Sequence, residues 1–308
     1  MNAPRLILPL LCAAAACAWP AAAPAATRSV DEHHAAERNG QVAIQCVAGR
    51  VEVVGWDKPE VAVTGTVGPD VERVEVTGSG SQTTVYVATH GSHGLSLGWH
   101  GPMNGEAQIV VHVPAQSSVT ATLVSADLIV SGVAGNQELH TVSGDIKAAV
   151  QREVRVRTVS GDIRLTAGAD ARLMELSTVS GDLNVSGGAG ELTVNTVSGD
   201  GMFALGTLTR AHLKSVSGDI SLEGGLAADG RLEAESVSGD LRIQFTGPLP
   251  PAAFDLESFS GDLSTCFGRK GVHEGYGPGT RLSFQEGPGS ARVRVTTKSG
   301  DVTVCAGK

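Results

Sequence analysis

The stretch Thr141-Val142-Ser143-Gly144-Asp145-Ile146-Lys147-Ala148 decides the fold, because near-copies of it recur down the rest of the chain. Ser-Gly-Asp returns at Ser160-Gly161-Asp162, Ser180-Gly181-Asp182, Ser198-Gly199-Asp200, Ser217-Gly218-Asp219, Ser238-Gly239-Asp240, Ser260-Gly261-Asp262 and Ser299-Gly300-Asp301. Successive aspartates are 17, 20, 18, 19, 21, 22 and finally 39 residues apart, the last close to two units. A period of this length, tolerant of insertions of a few residues, is the signature of stacked units with variable outer loops.

The flanks carry a second signal. Three residues before the Val of each unit stand Leu139, Val156, Leu176, Val194, Leu213, Ala234 and Leu256. One and three residues after the Asp stand Ile146 and Ala148, Ile163 and Leu165, Leu183 and Val185, Ile220 and Leu222, and Leu241 and Ile243. Period two on both sides predicts two short strands meeting at a Ser-Gly-Asp corner, with one face turned inward. A unit of about 19 residues buries little by itself, so neighbours above and below must cover its apolar face. The expected fold is all-β, a right-handed parallel β-solenoid (β-helix-like), right-handed because parallel crossovers almost always are. The Asp200 unit departs from the pattern: Gly201 follows, and Phe203 is placed to fill the space of the missing aliphatic.

The register extends backwards through Val124-Ser125-Ala126-Asp127-Leu128, with Ala for Gly, and through Val47-Ala48-Gly49-Arg50-Val51, with Arg for Asp. Between them, Glu60–Thr66, Val71–Thr77, Thr83–Thr89 and Gln108–Val113 read as antiparallel strands that cap the first end, since an open edge invites aggregation. Gly268 to Gly289, rich in Gly and Pro, reads as a hairpin with the same task at the other end. The expected organisation is a signal peptide over 1–26, a flexible leader over 27–40, a degenerate rung with antiparallel strands over 41–118, and the repeats over 119–308, continuous with 41–118 as one domain.

Composition agrees with strands and turns: 40 of 308 residues are Gly and only 4% are aromatic. At the N-terminus, Arg5, the apolar run Leu6 to Ala16 and the small residues around Ala23-Pro24-Ala25 have the order of a secretory signal peptide. Ala14-Ala15-Ala16 before Cys17 lacks the large aliphatic residue of a lipidation site, which favours cleavage over lipid attachment. An exported chain, periplasmic or otherwise in the cell envelope, is expected, with no transmembrane segment after cleavage. Cleavage removes one basic and no acidic side chain, leaving 22 against 32 and a net charge of −10. That charge argues against nucleic acid as a partner.

Together the repeated T-V-S-G-D-[I/L] units, the opening G-R-V-E-V-V-G-W-D-K-P-E-V from Gly49 to Val61, and Val113-Pro114 resemble the bacterial "putative adhesin" family with β-strand repeats, domain of unknown function 4097. The resemblance covers roughly residues 40–305. It implies an envelope β-strand repeat protein with no established catalytic residues.

The candidate chemistry lies first in the column Asp127, Asp145, Asp162, Asp182, Asp200, Asp219, Asp240, Asp262 and Asp301. At about 4.8 Å per rung, neighbouring carboxylates repel by about 0.9 kcal/mol in water. Each Asp is therefore expected to accept local backbone N–H groups and the neighbouring Ser hydroxyl in an Asx-type turn. A row of Ca²⁺ sites is the alternative, as hard oxygen ligands would suit, although one Asp per rung supplies few of them. His90, His93 and His100, with His112 further on, have His-x-x-His spacing that can bind Zn²⁺, yet only Glu106 stands near them. No cofactor is expected, calcium being the one candidate.

Catalysis finds little support. No serine sits in a G-x-S-x-G elbow. A β-helix carbohydrate-active enzyme would need paired acids from non-equivalent rungs, such as Asp170, Asp229 and Asp255. Cys266 and Cys305 each lie four residues after a repeat Asp, so they share a register and form a candidate disulfide in an oxidising compartment. Cys46 reads as a small buried residue. The expected function is that of a non-catalytic envelope protein, a structural or adhesin-like binding scaffold for an envelope protein or glycan. The carbohydrate-active enzyme and a calcium-stabilised binding module are the alternatives.

Overall fold

The computed structural model describes residues 27–89, 107–269, 271–273 and 279–307. The signal-peptide reading of 1–26 and the cluster His90, His93 and His100 lie outside the described residues. Everything described is strand, turn or irregular chain, with no helix among the described residues.

The first strands are β1 (Arg28–Ala35), β2 (Gln41–Trp56), β3 (Glu60–Val67), β4 (Val71–Ser79), β5 (Gln82–Thr89), β6 (Ala107–Pro114) and β7 (Ser118–Ser131). The repeats then give β8 (Gln137–Ser143) and β9 (Ile146–Val150), β10 (Glu153–Ser160) and β11 (Ile163–Ala167), and β12 (Leu173–Ser180) and β13 (Leu183–Gly187). Next come β14 (Gly190–Ser198), β15 (Gly201–Ser217), β16 (Ile220–Ser238), β17 (Leu241–Phe245), β18 (Ala252–Ser260) and β19 (Leu263–Thr265). The chain ends with β20 (Val272–His273), β21 (Thr280–Glu286), β22 (Ala291–Ser299) and β23 (Val302–Ala306).

The Ser-Gly-Asp corners divide these strands into two parallel ladders. On the N-terminal side of the corners, β5, β2, β7, β8, β10, β12, β14, β15, β16, β22 and β18 pair in that order. On the other side run β6, β2, β7, β9, β11, β13, β15, β16, β17, β23 and β19, where β2, β7, β15 and β16 serve both ladders. Every step preserves the register, Ser opposite Ser from Ser125 to Ser299. The inward residues face each other between the ladders: Leu139, Val156, Leu176, Val194 and Leu213 from the first, Ile146, Ile163, Leu183 and Ile220 from the second, all buried. Each contributes roughly 1.5–3 kcal/mol of burial, available only when neighbouring rungs exclude water. At Gly201 the Phe203 ring lies where a Cβ would point, filling the gap left by the missing side chain.

Two expectations need correction. β5 and β6 are not part of an antiparallel cap: they pair in parallel with the two halves of β2, and so form a further rung. The sequence between β5 and β6 holds no Ser-Gly-Asp, so no corner motif marks this rung. The antiparallel cap is thinner, consisting of β4 on β5, β3 on β6 and β1 on β3. Residues 28–35 within the expected leader form the edge strand β1; Val30, its single large aliphatic, gives no alternation to read, and the strand is held by backbone pairing from Arg28↔Val67 to Ala35↔Glu60. Such charged sequences suit sheet edges.

At the other end a hairpin is present, and rung order departs from chain order. After the Asp262 corner the chain forms the hairpin β20–β21, with β21 antiparallel to β18, and then β22 and β23 insert between the Asp240 and Asp262 rungs. The rung latest in sequence is therefore interior in space. Cys266 and Cys305 are joined by a disulfide, with Cα atoms 4.8 Å apart, which ties the end strand to the inserted one. For a loop closed across 39 residues, replacing both by serine is expected to remove about 3 kcal/mol of stability. Equilibrium denaturation of the double variant, beside the parent with and without reductant, checks this. Over the same end, Phe254 stacks on Phe284 at 4.7 Å and meets Phe267 at 5.3 Å, closing the core with aromatic area.

Candidate functional site

The corners carry the recurring polar chemistry. At the Asp145 corner, Gly144 N–H donates to the Ser160 carbonyl of the next rung at 3.2 Å, and Ile146 N–H donates to the Asp162 carbonyl at 2.9 Å. The intervening Asp N–H points the opposite way, toward the preceding rung. No Gly carbonyl is free to receive it there, because that oxygen lies against the Cα of the next Gly, where an added Cβ would collide with it.

A carboxylate takes the carbonyl's place. Asp162 N–H donates to Asp145 Oδ1 at 3.0 Å. The same bond links Asp145 to Asp127 at 3.1 Å, Asp182 to Asp162 at 3.0 Å, Asp200 to Asp182 at 3.0 Å and Asp219 to Asp200 at 2.9 Å. It continues from Asp240 to Asp219 at 2.8 Å, Asp301 to Asp240 at 2.8 Å and Asp262 to Asp301 at 2.9 Å, following spatial and not chain order. The expected Asx turn, closed within one corner, is thus replaced by a bond between rungs. A hydrogen bond to a charged group contributes about 1.5–3 kcal/mol, against about 0.9 kcal/mol of repulsion between neighbouring exposed carboxylates, so the ladder is net favourable.

Removing the charge would weaken the bond but also relieve the repulsion from both neighbours, so the acceptor oxygen is the part that cannot be spared. Asp182→Asn, which keeps Oδ1, is expected to change stability by less than about 0.5 kcal/mol. Asp182→Ala leaves the Asp200 N–H without its partner and is expected to cost about 1–2 kcal/mol. Urea denaturation of the pair checks the assignment, and equal losses would return the role to charge.

Two arginines temper the column at its N-terminal end. Arg50, which stands where later corners have Asp, lies 3.5 Å from Asp127 Oδ2. Arg164 lies 2.9 Å from Asp162 and 3.7 Å from Asp145. From Asp182 onward the column has no ion pair among the described residues. Behind it runs a column of buried hydroxyls: Thr141, Thr158 and Thr178 each donate to the Ser carbonyl two residues on at 3.2 Å.

The remaining candidates do not converge. His112 on β6 packs against the Trp56 ring at 4.8 Å, a structural contact. His140 and His212 face outward beside Glu138 at 3.1 Å and Glu233 at 3.4 Å. No three His, Cys, Asp or Glu side chains among the described residues gather as a metal site requires. Asp170 precedes β12, Asp229 lies within β16 and Asp255 lies on β18. Counted in rungs, they are about 14 Å and about 10 Å apart at the usual strand spacing, outside the range of roughly 5–9.5 Å for glycosidase pairs. Asp255 is also engaged, accepting from Ser283 Oγ at 2.8 Å and lying 3.5 Å from Arg281. Cys46 faces the core from β2, and burial pushes its thiol up to about 11.

One feature escaped the sequence reading. Val124, Val142, Val159, Val179, Val197, Val216 and Val237 form an outward column, 44–50% exposed, beside the corners. Lys298 holds the next position in space and Phe259, 59% exposed, the one after it. Strand parity carried the signal: with Thr141 and Leu139 inward, Val142 must point out.

The family model described as Toastrack DUF4097 matches residues 57–305. The chain belongs to this family. Among solved structures, this Toastrack chain is similar to a "putative adhesin" from Bacteroides fragilis, with 10% identity, 90% of this chain and 96% of that chain covered, and a TM-score of 0.43. It is also similar to a "putative lipid binding protein" from Parabacteroides distasonis, with 10% identity, 91% and 97% covered, and a TM-score of 0.38. A "putative adhesin" from Parabacteroides merdae has 11% identity, 91% and 95% covered, and a TM-score of 0.29. No curated protein matches the sequence. Within the Toastrack match, every Asp-to-Asp bond of the corner column falls between residues 127 and 301.

Proposed function

We propose that this Toastrack chain is a non-catalytic, exported envelope protein that acts as an adhesin-like binding scaffold, wound as a right-handed parallel β-solenoid of about 19-residue turns. The observation that carries the reading is the use of the repeated polar residues: the corner carboxylates are committed as backbone acceptors from rung to rung. A hollow of about 390 Å³ is lined by the charged residues Arg152, Glu153, Asp170 and Arg172, whereas the usual small-molecule site is lined by hydrophobic and aromatic side chains. What remains is a long, rigid outer surface of the kind that binds by shape and periodicity. The signal-peptide pattern read over 1–26 supports export, and the Cys266–Cys305 disulfide suits an oxidising compartment. The partner class is an envelope protein or a glycan.

The test is a pull-down of the mature protein from envelope extracts, together with glycan arrays, in calcium and in chelator. Specific capture of one protein or glycan class, without turnover, supports the scaffold. Cleavage of a glycan by the purified protein would overturn it in favour of the enzyme. A melting temperature that rises with Ca²⁺ and falls with chelator would replace it with the calcium-stabilised module.

A further inference from the structure

We infer that the exposed valine column is a self-association surface on which a second copy of this chain docks. The column runs uninterrupted over seven rungs from Val124 to Val237, each side chain nearly half exposed. Together the side chains form a contiguous apolar stripe within the roughly 300–600 Å² at which exposed patches are often functional. Its repeat is the rung spacing of about 4.8 Å. A second copy presents the same repeat, so the valines of one column can meet those of the other rung for rung.

Charge chooses the orientation. On one side of the valines lies the Asp column, without ion pairs from Asp182 onward among the described residues. On the other side, two residues before each Val, lies a mixed column that runs from His140 through Arg157, Ser177 and Asn195 to Lys214 and Glu235, the last two ion-paired at 3.4 Å. Arg157 is exposed and has no acidic partner among the described residues. A two-fold axis along the stripe lays each copy's aspartates over the other's mixed column, where Arg157 is the cation without an acidic partner among the described residues. An axis across the stripe would instead set aspartates against aspartates, which is repulsive. The parallel arrangement is therefore favoured, and each valine meets its own counterpart. Lys298, meeting itself in that arrangement, ends the contact beyond Val237. The stripe falls short of the roughly 800 Å² per partner of a standard interface, so the dimer is weak and reversible.

Sedimentation velocity on the mature chain, from about 1 to 200 μM, is expected to show a reversible monomer–dimer equilibrium. The combined Val159→Lys, Val179→Lys and Val197→Lys variant is expected to weaken it at least tenfold, as is Arg157→Glu alone, with circular dichroism and melting unchanged. Orientation is read from oxidation of single-cysteine additions: Val159→Cys alone and Val197→Cys alone should each give covalent dimers. A parent that stays monomeric over the whole range overturns the inference. So does a lysine variant that dimerises like the parent, or covalent dimers that form only when the two cysteine variants are mixed.

Discussion

Gly181→Ala is expected to destabilise the chain by about 4 kcal/mol, more than the loss of a corner carboxylate or of the disulfide. Gly181 has a φ of +130°, and an added Cβ would run into the carbonyl oxygen of Gly161 in the rung before it. Two penalties combine. A residue with a Cβ in this region of backbone space costs about 1–3 kcal/mol, and backbone displaced by overpacking costs about 1–3 kcal/mol more. Relaxation cannot stay local, because moving the Gly181 corner breaks the Asp182-to-Asp162 bond below and the Asp200-to-Asp182 bond above. Equilibrium denaturation of the variant beside the Asp182→Ala variant checks the ranking, and a loss for glycine no greater than for aspartate would refute it.

Removal of residues 290–308 is expected to do more harm than loss of a terminal rung should. In a simple stack, the last unit has one neighbour and its loss shortens the array. Here β22 lies between β16 and β18, and β23 between β17 and β19. The truncated chain loses two rung interfaces at once, together with the disulfide. Val293, Val295, Val302 and Val304 leave the core, and Leu232, Leu241 and Leu256 lose their covering. Limited proteolysis is expected to strip everything after about Ser238 while the earlier rungs persist, and hydrogen exchange should show the same boundary. Protection of β18 in the truncated chain would show that the Asp262 rung can dock directly on the Asp240 rung.

Much of the architecture was legible because one side-chain period met one backbone constraint. Ser-Gly-Asp flanked by alternating aliphatics located the corners, the inward faces and the parity of every strand near them. It also placed Cys266 and Cys305 at equal offsets. Neither pairing direction nor spatial order was legible where the motif lapses. β5 and β6 look like any hairpin strands until their edges are matched to β2. A spacing of 39 says that about two units intervene, and nothing about which rungs the returning strand separates. The role of the aspartate was half legible. A need for N–H donors follows from its charge, but that the donor belongs to the next rung depends on the rotation of the Gly carbonyl, a consequence of positive φ that only coordinates reveal.

The aspartate column also bears on how such a chain changes length. Each carboxylate serves its successor, whichever rung that is, so the linkage is indifferent to the identity of the unit that follows. Excision of Ile163 through Asp182 would join Asp162 to Leu183 and bring the Asp200 N–H to the carboxylate of Asp162 without altering either corner. Gain or loss of whole turns is thereby a low-cost event for a gene encoding this fold, whereas a shift by a fraction of a turn would turn core residues outward. Relatives should accordingly differ in reach by integral numbers of rungs, with the inserted C-terminal strand pair retained as the fixed closure.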